Sequence, residues 1–180
     1  MNYHNITYPD QNNGDGLRIV LWVAGCEHHC TNCQNQQTWS PQSGIPFDKN
    51  AMNEILNELK KDYISGITFS GGDPLHPKNV QNVLKIVDEI RVSYPTKKIW
   101  LYTGYTWEQI MHPVITDINS EQLKMLQMRK ELVSKCDVLI DGRYVDELRD
   151  VSLHWRGSSN QRVINVQETL KQDQIVLWES

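Results

Sequence analysis

The order of apolar and polar positions along the chain predicts an alternation of strands and helices. Leu17 to Ala24 is almost continuously apolar, as in a strand covered on both faces, and it follows the dense turn signal Asn12-Asn13-Gly14-Asp15-Gly16. Asp48 is placed to cap a helix running to about Asp62, with Met52, Ile55, Leu56 and Leu59 at helical spacing. Gly66 to Ser70 reads as the next strand. Pro77-Lys78 then opens a helix whose inward face is Val80, Val83, Leu84, Val87 and Ile90. Lys97 to Thr103 forms a third strand, a short helix spans Trp107 to Met111, and a longer one spans Ser120 to Ser134. Cys136 to Ile140 and Arg162 to Val166 supply the fourth and fifth strands. Between them, Asn35 to Pro46 is polar, interrupted by Pro41 and Gly44, and reads as irregular.

Strands alternating with helices imply parallel pairing through right-handed crossovers. A closed eight-unit barrel takes about 250 residues, and this chain has 180. The expectation is therefore an α/β fold in one domain, residues 1–180, built as a partial, open β/α barrel of five or six mostly parallel strands. In such folds ligands gather at the carboxyl ends of the strands. Three polar, glycine-bearing stretches fall there: Gly25 to Cys33, Gly71 to Pro74 and Thr103 to Tyr105.

The first of these holds three of the four cysteines, Cys26, Cys30 and Cys33, spaced CxxxCxxC. Thiolates are soft ligands for iron–sulfur clusters and zinc. A closed structural zinc site needs four protein ligands, commonly two pairs from separate stretches, and no second pair is present. Cys136 heads an apolar run and reads as a core residue. His28 or His29 would complete a Cys3His zinc site only from within the turn that aims the flanking thiols, a strained arrangement. The other solution is a four-iron cube on three cysteines, with one iron left open to a small molecule. Gly71-Gly72-Asp73-Pro74 reads either as a turn or as a ligand contact, in which strand-end carbonyls and a carboxylate face an ammonium group.

Composition narrows the partners. A net charge of −4 offers no basic patch for nucleic acid. No apolar run approaches the roughly 18 residues of a membrane span, and the polar start Met1-Asn2-Tyr3-His4-Asn5 lacks the regions of a signal peptide. A cytoplasmic protein, with no membrane and no nucleic acid as partner, is expected. In that compartment clustered cysteines serve metal or redox chemistry rather than disulfides.

CxxxCxxC after a first strand resembles the cluster motif of the radical S-adenosylmethionine (SAM) enzymes, and Ser70-Gly71-Gly72-Asp73-Pro74 is similar to their Gly-Gly-Glu-Pro motif. Asp15-Gly16-Leu17-Arg18, Ala24-Gly25-Cys26, Asn35 with Thr38-Trp39, Leu75-His76-Pro77, Trp100 to Tyr105, Asp141-Gly142-Arg143 and Arg156 to Gln161 extend the likeness over nearly the whole chain. In that order they resemble the activating proteins of anaerobic (class III) ribonucleotide reductases. The resemblance implies a [4Fe-4S] cluster on Cys26, Cys30 and Cys33, with the open iron chelating the methionyl amino and carboxylate groups of SAM. It implies SAM contacts from Asn32, Cys33, Gln34, Gly71, Gly72 and Asp73, with Thr103 and Gly104 as further contacts. It further implies reductive cleavage of SAM, hydrogen abstraction from a glycine on the reductase large subunit, and a small electron donor such as flavodoxin. The rival readings are an activase for another glycyl-radical enzyme of formate-lyase type and a non-catalytic zinc or redox thiol protein. Arg156 to Gln161 reads as a connecting loop with a possible partner-binding role, and Trp22, Trp100 and Tyr102 read as core.

Overall fold

The computed structural model describes residues 1–114, 116 and 119–178. In chain order the strands are β1 (Asn2–Asp10), β2 (Leu17–Val23), β3 (Ile45–Pro46), β4 (Ile64–Gly71), β5 (Lys98–Tyr102), β6 (Val138–Asp141) and β7 (Arg162–Asn165). The helices are α1 (Lys49–Leu59), α2 (Val80–Ser93), α3 (Trp107–Met111), α4 (Ser120–Ser134) and α5 (Val166–Gln172). Single turns of 3-10 helix occur at Gln36–Thr38 and Asp146–Leu148. Asp48 caps α1 as its position predicts, accepting from the Ala51 N–H at 2.9 Å.

One sheet of seven strands runs in the order β3-β1-β2-β4-β5-β6-β7. The central four, β2, β4, β5 and β6, pair in parallel. The flanks are antiparallel: β1 on β2, β3 on β1, and β7 on β6. The expected open, mostly parallel sheet is found, with the strand number corrected from five or six to seven and the flanking pairs antiparallel. Two strands went unread, β1 because its polar residues mask the pattern and β3 because it is two residues long. A parallel β7 would need a helical crossover after β6, and only a single 3-10 turn lies between them.

Strand periodicity divides the sheet into two faces. Ile19, Leu21 and Val23 of β2, Ile67 and Phe69 of β4, Ile99 and Leu101 of β5, and Leu139 of β6 pack with α1, α2 and α4 into the main core. Burial of each such side chain contributes about 1.5–3 kcal/mol. The opposite, inner face is different: Trp100, Val138, Ile140 and Val163 form a small second cluster beneath Trp155 and Trp178.

Arg18 closes the amino end of this inner face and is fully buried. Its guanidinium donates to Thr68 Oγ1 at 2.8 Å, Ile67 O at 2.7 Å, Lys98 O at 2.8 Å and Asp15 O at 3.1 Å, and it lies 5.1 Å from the centre of the Trp100 ring. Burial pushes its pKa down to about 10, which leaves it charged at neutral pH. The opposite, carboxyl ends of the parallel strands carry the cysteine loop. Among the described residues no helix is long and apolar enough to cross a membrane.

Candidate functional site

The loop after β2 is fastened on both sides before its first cysteine. Gly25 donates its N–H to Thr38 O at 2.7 Å and accepts at its carbonyl from the Asp73 N–H at 2.8 Å, while the Cys26 N–H donates to Trp39 O at 3.0 Å. His29 and Asn32 adopt left-handed φ values of 47° and 55°, which turn the chain between successive cysteines, and the Cys33 N–H closes back on Cys30 O at 3.2 Å.

Cys26, Cys30 and Cys33 are all free and partly buried. Burial pushes the Cys26 thiol up to about 11 and raises Cys30, against the opposing pull of a backbone hydrogen bond at Tyr144 and of Arg143 at the latter. Burial thus disfavours the thiolate at these two positions, whereas a bound metal centre would deprotonate its ligands outright. Among the described residues no three His, Cys, Asp or Glu side chains converge as ligands of one metal ion. Trp39 bears on the fit of a cluster: its ring packs against His29 with centroids 4.7 Å apart, and its buried indole N–H has no acceptor among the described residues. Iron–sulfur clusters accept such hydrogen bonds at sulfur.

Across the rim, Asp73 is a hub. Only 2% exposed, its carboxylate accepts from Thr103 Oγ1 at 3.0 and 2.9 Å, from the Gly104 N–H at 3.1 Å and from the Leu75 N–H at 2.8 Å. The His28 Nε2 lies 2.6 Å from Asp73 Oδ2. Asp73, Thr103 and Gly104 are therefore brought together, and they spend these polar groups on one another. Two glycines are dictated by close approach. A Cβ on Gly72 would sit 2.5 Å from the Gly25 carbonyl oxygen, and one on Gly104 would sit 2.3 Å from the His28 ring.

Gln34 and Cys33 lie at the mouth of a cleft of about 430 Å³, walled by Trp22, Ser70 and Tyr102 from three parallel strand ends and by Arg156. Asn32 points away from it to Asp146, donating Nδ2–H to Oδ2 at 2.6 Å. Trp22 and Tyr102, expected as core, thus line the cleft and are only partly buried. Each is tethered, Trp22 Nε1 to Thr7 Oγ1 at 2.9 Å and the Tyr102 hydroxyl to Trp155 O at 2.7 Å. Arg156 to Gln161 ties itself into a loop beside the cleft: the Gln161 side chain accepts from the Gly157 N–H at 3.0 Å and donates to Gly142 O at 3.0 Å.

Two organising residues were not recognised from sequence. Asn79 is buried and donates to both Ala24 O at 2.8 Å and Asp73 O at 2.9 Å, joining the cysteine loop to the loop after β4. His28 was weighed only as a metal ligand, although its place between two cysteines marked it for scrutiny. Cys136 is fully buried, as its apolar run predicts, and its thiol donates to Leu132 O at 3.3 Å.

A family model described as a 4Fe-4S single cluster domain matches residues 12–164. A protein of Escherichia coli (strain K12) named anaerobic ribonucleoside-triphosphate reductase-activating protein is 43% identical over 165 residues, covering 91% of this chain and 97% of its own length. Proteins of the same name are 41% identical over 163 residues in Enterobacteria phage T4, covering 91% and 93% of the two chains. In Haemophilus influenzae the figure is 41% over 163 residues, covering 89% and 96%.

Proposed function

The chain belongs to the family of anaerobic ribonucleoside-triphosphate reductase-activating proteins, and from that premise we propose that it is a radical SAM enzyme that installs a glycyl radical on the large subunit of that reductase. Its whole length acts as one radical SAM domain, the open sheet being the partial barrel of that type. It works in the cytoplasm with a small electron donor such as flavodoxin. The observation that carries this reading is the placement of three partly buried thiols on one loop at the carboxyl ends of the parallel strands, beside a cleft sized for one small molecule.

Cys26, Cys30 and Cys33 would hold the [4Fe-4S] cluster. Bound there with SAM, it would supply the electron for reductive cleavage of SAM to methionine and 5′-deoxyadenosine, with the hydrogen atom drawn from the partner's glycine to leave a glycyl radical. Cys33 and Gln34 line SAM around the last cysteine, and Asn32 contributes its backbone there, its side chain being held by Asp146. Gly71 and Gly72 bring bare backbone to the amino group of SAM. Asp73, Thr103 and Gly104, bonded to one another, hold that backbone in place. Trp22 and Tyr102, already tethered, offer a preorganised aromatic wall that excludes water. Because the sheet is open, a glycine-bearing loop of the reductase approaches from the side.

Anaerobic reconstitution tests the proposal. It predicts about four irons per chain, lost in Cys26→Ala, Cys30→Ala or Cys33→Ala. With reductant and SAM, the protein should generate a glycyl radical, seen by electron paramagnetic resonance, on the anaerobic reductase. Stoichiometric zinc in place of iron would overturn the cluster. A radical formed on a formate-lyase type enzyme and not on the reductase would reassign the partner.

A further inference from the structure

The parallel strands β2, β4, β5 and β6 end in four loops at one rim, and a single side chain connects all four. His28 belongs to the loop after β2. Its Nε2 lies 2.6 Å from Asp73 Oδ2, after β4. It packs against the bare Cα of Gly104 and meets the Tyr105 ring edge-on at 4.7 Å, both after β5. Arg143, after β6, donates its Nε–H to His28 Nδ1 at 3.2 Å. A guanidinium has no acceptor, so Nδ1 must accept, and the ring is the tautomer whose Nε2–H donates to Asp73. The side chain is 6% exposed.

Both ring nitrogens are therefore engaged by protein, which removes His28 from the candidate cluster ligands. Asp73 is the carboxylate expected to face the methionyl ammonium, yet its acceptor sites are filled by His28, Thr103, Gly104 and Leu75. Resting on the reading proposed above, we infer that His28 is a positioning residue for SAM. It clamps the Cys26 to Cys30 arm of the cluster loop onto Asp73 and so sets the cluster in register with the Gly71-Gly72 backbone that receives the methionyl group. Imidazole suits this task because it is rigid and presents a donor and an acceptor in different directions. Arg143 keeps the acceptor on the correct side.

The test compares reconstituted wild type with His28→Ala, His28→Gln and Arg143→Met. Three quantities are read: iron content, the change SAM produces in the paramagnetic resonance spectrum of the reduced cluster, and the KM for SAM against kcat. His28→Ala should retain iron but raise KM about 10- to 100-fold, the range for outer-shell partners, with a smaller change in kcat. It should also lose the spectral response at SAM concentrations that saturate wild type. His28→Gln, which keeps one donor and one acceptor, should recover most of the loss. Arg143→Met should shift KM in the same direction by less. Wild-type KM and spectral response in His28→Ala would overturn the inference. So would iron loss matching the cysteine variants, or a His28→Gln as impaired as His28→Ala. Should His28→Ala fail to fold, an unchanged KM in Arg143→Met overturns the inference on its own. A wild type whose spectrum ignores SAM would instead overturn the proposed function.

Discussion

Arg18→Met isolates what holds the closed end of the inner face. Arg18 is a buried charge with no ion pair among the described residues; its partners are three carbonyls, one hydroxyl and the face of Trp100. Two effects oppose one another. Methionine removes the cost of burying a cation, which is several kcal/mol per ion even after relaxation. It also strands the Ile67 and Lys98 carbonyls, each costing about 1–3 kcal/mol when left unsatisfied, and withdraws a donor from Asp15 O and Thr68 Oγ1. Methionine has no donor to offer any of the four acceptors. At about 1–3 kcal/mol each they outweigh the several kcal/mol recovered by removing one buried charge, for a net loss of about 3–4 kcal/mol. Thr68 also donates to Asn13 O at 2.7 Å, and Asn13 lines the cleft, so the loop before β2 should loosen with it. Anaerobic urea unfolding of the metal-free protein reads the loss. At about 2 kcal/mol per molar urea, the midpoint should fall by roughly 1.5–2 M. A variant as stable as wild type, or more so, would show that charge burial dominates and that the carbonyls find other donors.

Gly72→Ala places a methyl 2.5 Å from the Gly25 carbonyl; it should cost about 1–3 kcal/mol by overpacking and weaken SAM binding, read by urea unfolding and by titration with SAM. Cys136→Ala should keep the full iron content and lose only about 1 kcal/mol of packing, since this thiol is fully buried away from the loop; iron loss equal to that of Cys33→Ala would contradict its core assignment. The Arg162 guanidinium, hydrogen-bonded to Glu108 at 3.0 and 2.9 Å, holds that carboxyl at about 2, below its ordinary 4.5. Between these values the unfolded chain binds more protons, so stability rises with pH across the window. The advantage of wild type over Glu108→Gln should be complete above pH 4.5 and vanish as pH falls through about 2. More than half of the Glu108 side chain is exposed, at 56%, so solvent screening limits the advantage to about 1 kcal/mol, measured by unfolding at stepped pH.

The four parallel strands were legible because burial on two faces leaves nearly unbroken apolar runs, as in Ile19 to Val23 and Val138 to Ile140. The ends of those runs also located the three rim segments. β1 was not legible: Asn2, His4, Asn5 and Thr7 are polar, and the strand is held by long-range pairing with β2 and β3. The antiparallel direction of β7 was implicit in the missing crossover between Asp141 and Arg162. The thiol loop was legible because its chemistry is local, three cysteines within eight residues. His28 was not, because its partners Asp73 and Arg143 lie 45 and 115 positions away. Asp73 could be picked out in its motif, but not its inward orientation, which depends on donors supplied by Thr103 and Gly104 just after β5.

The division of labour between the two sheet faces explains how a short chain carries a demanding site. Packing of α1, α2 and α4 on the outer face supplies the main core, so the inner face need not be filled from end to end. At its amino end Arg18 and Trp100 seal it; at its carboxyl end Trp22, Ser70 and Tyr102 leave it open. An open polar rim would ordinarily be mobile, and the cluster, SAM and partner glycine proposed above would demand tight mutual placement. Asp73 and Asn79 meet that demand by linking backbone and side chains across the rim: Asp73 binds the loop after β5, and Asn79 ties the cysteine loop to the loop after β4. His28 extends the linkage to the loop after β6. Rigidity at the rim thus comes from buried hydrogen bonds rather than from closure of the sheet, whose side stays open for the protein substrate proposed above.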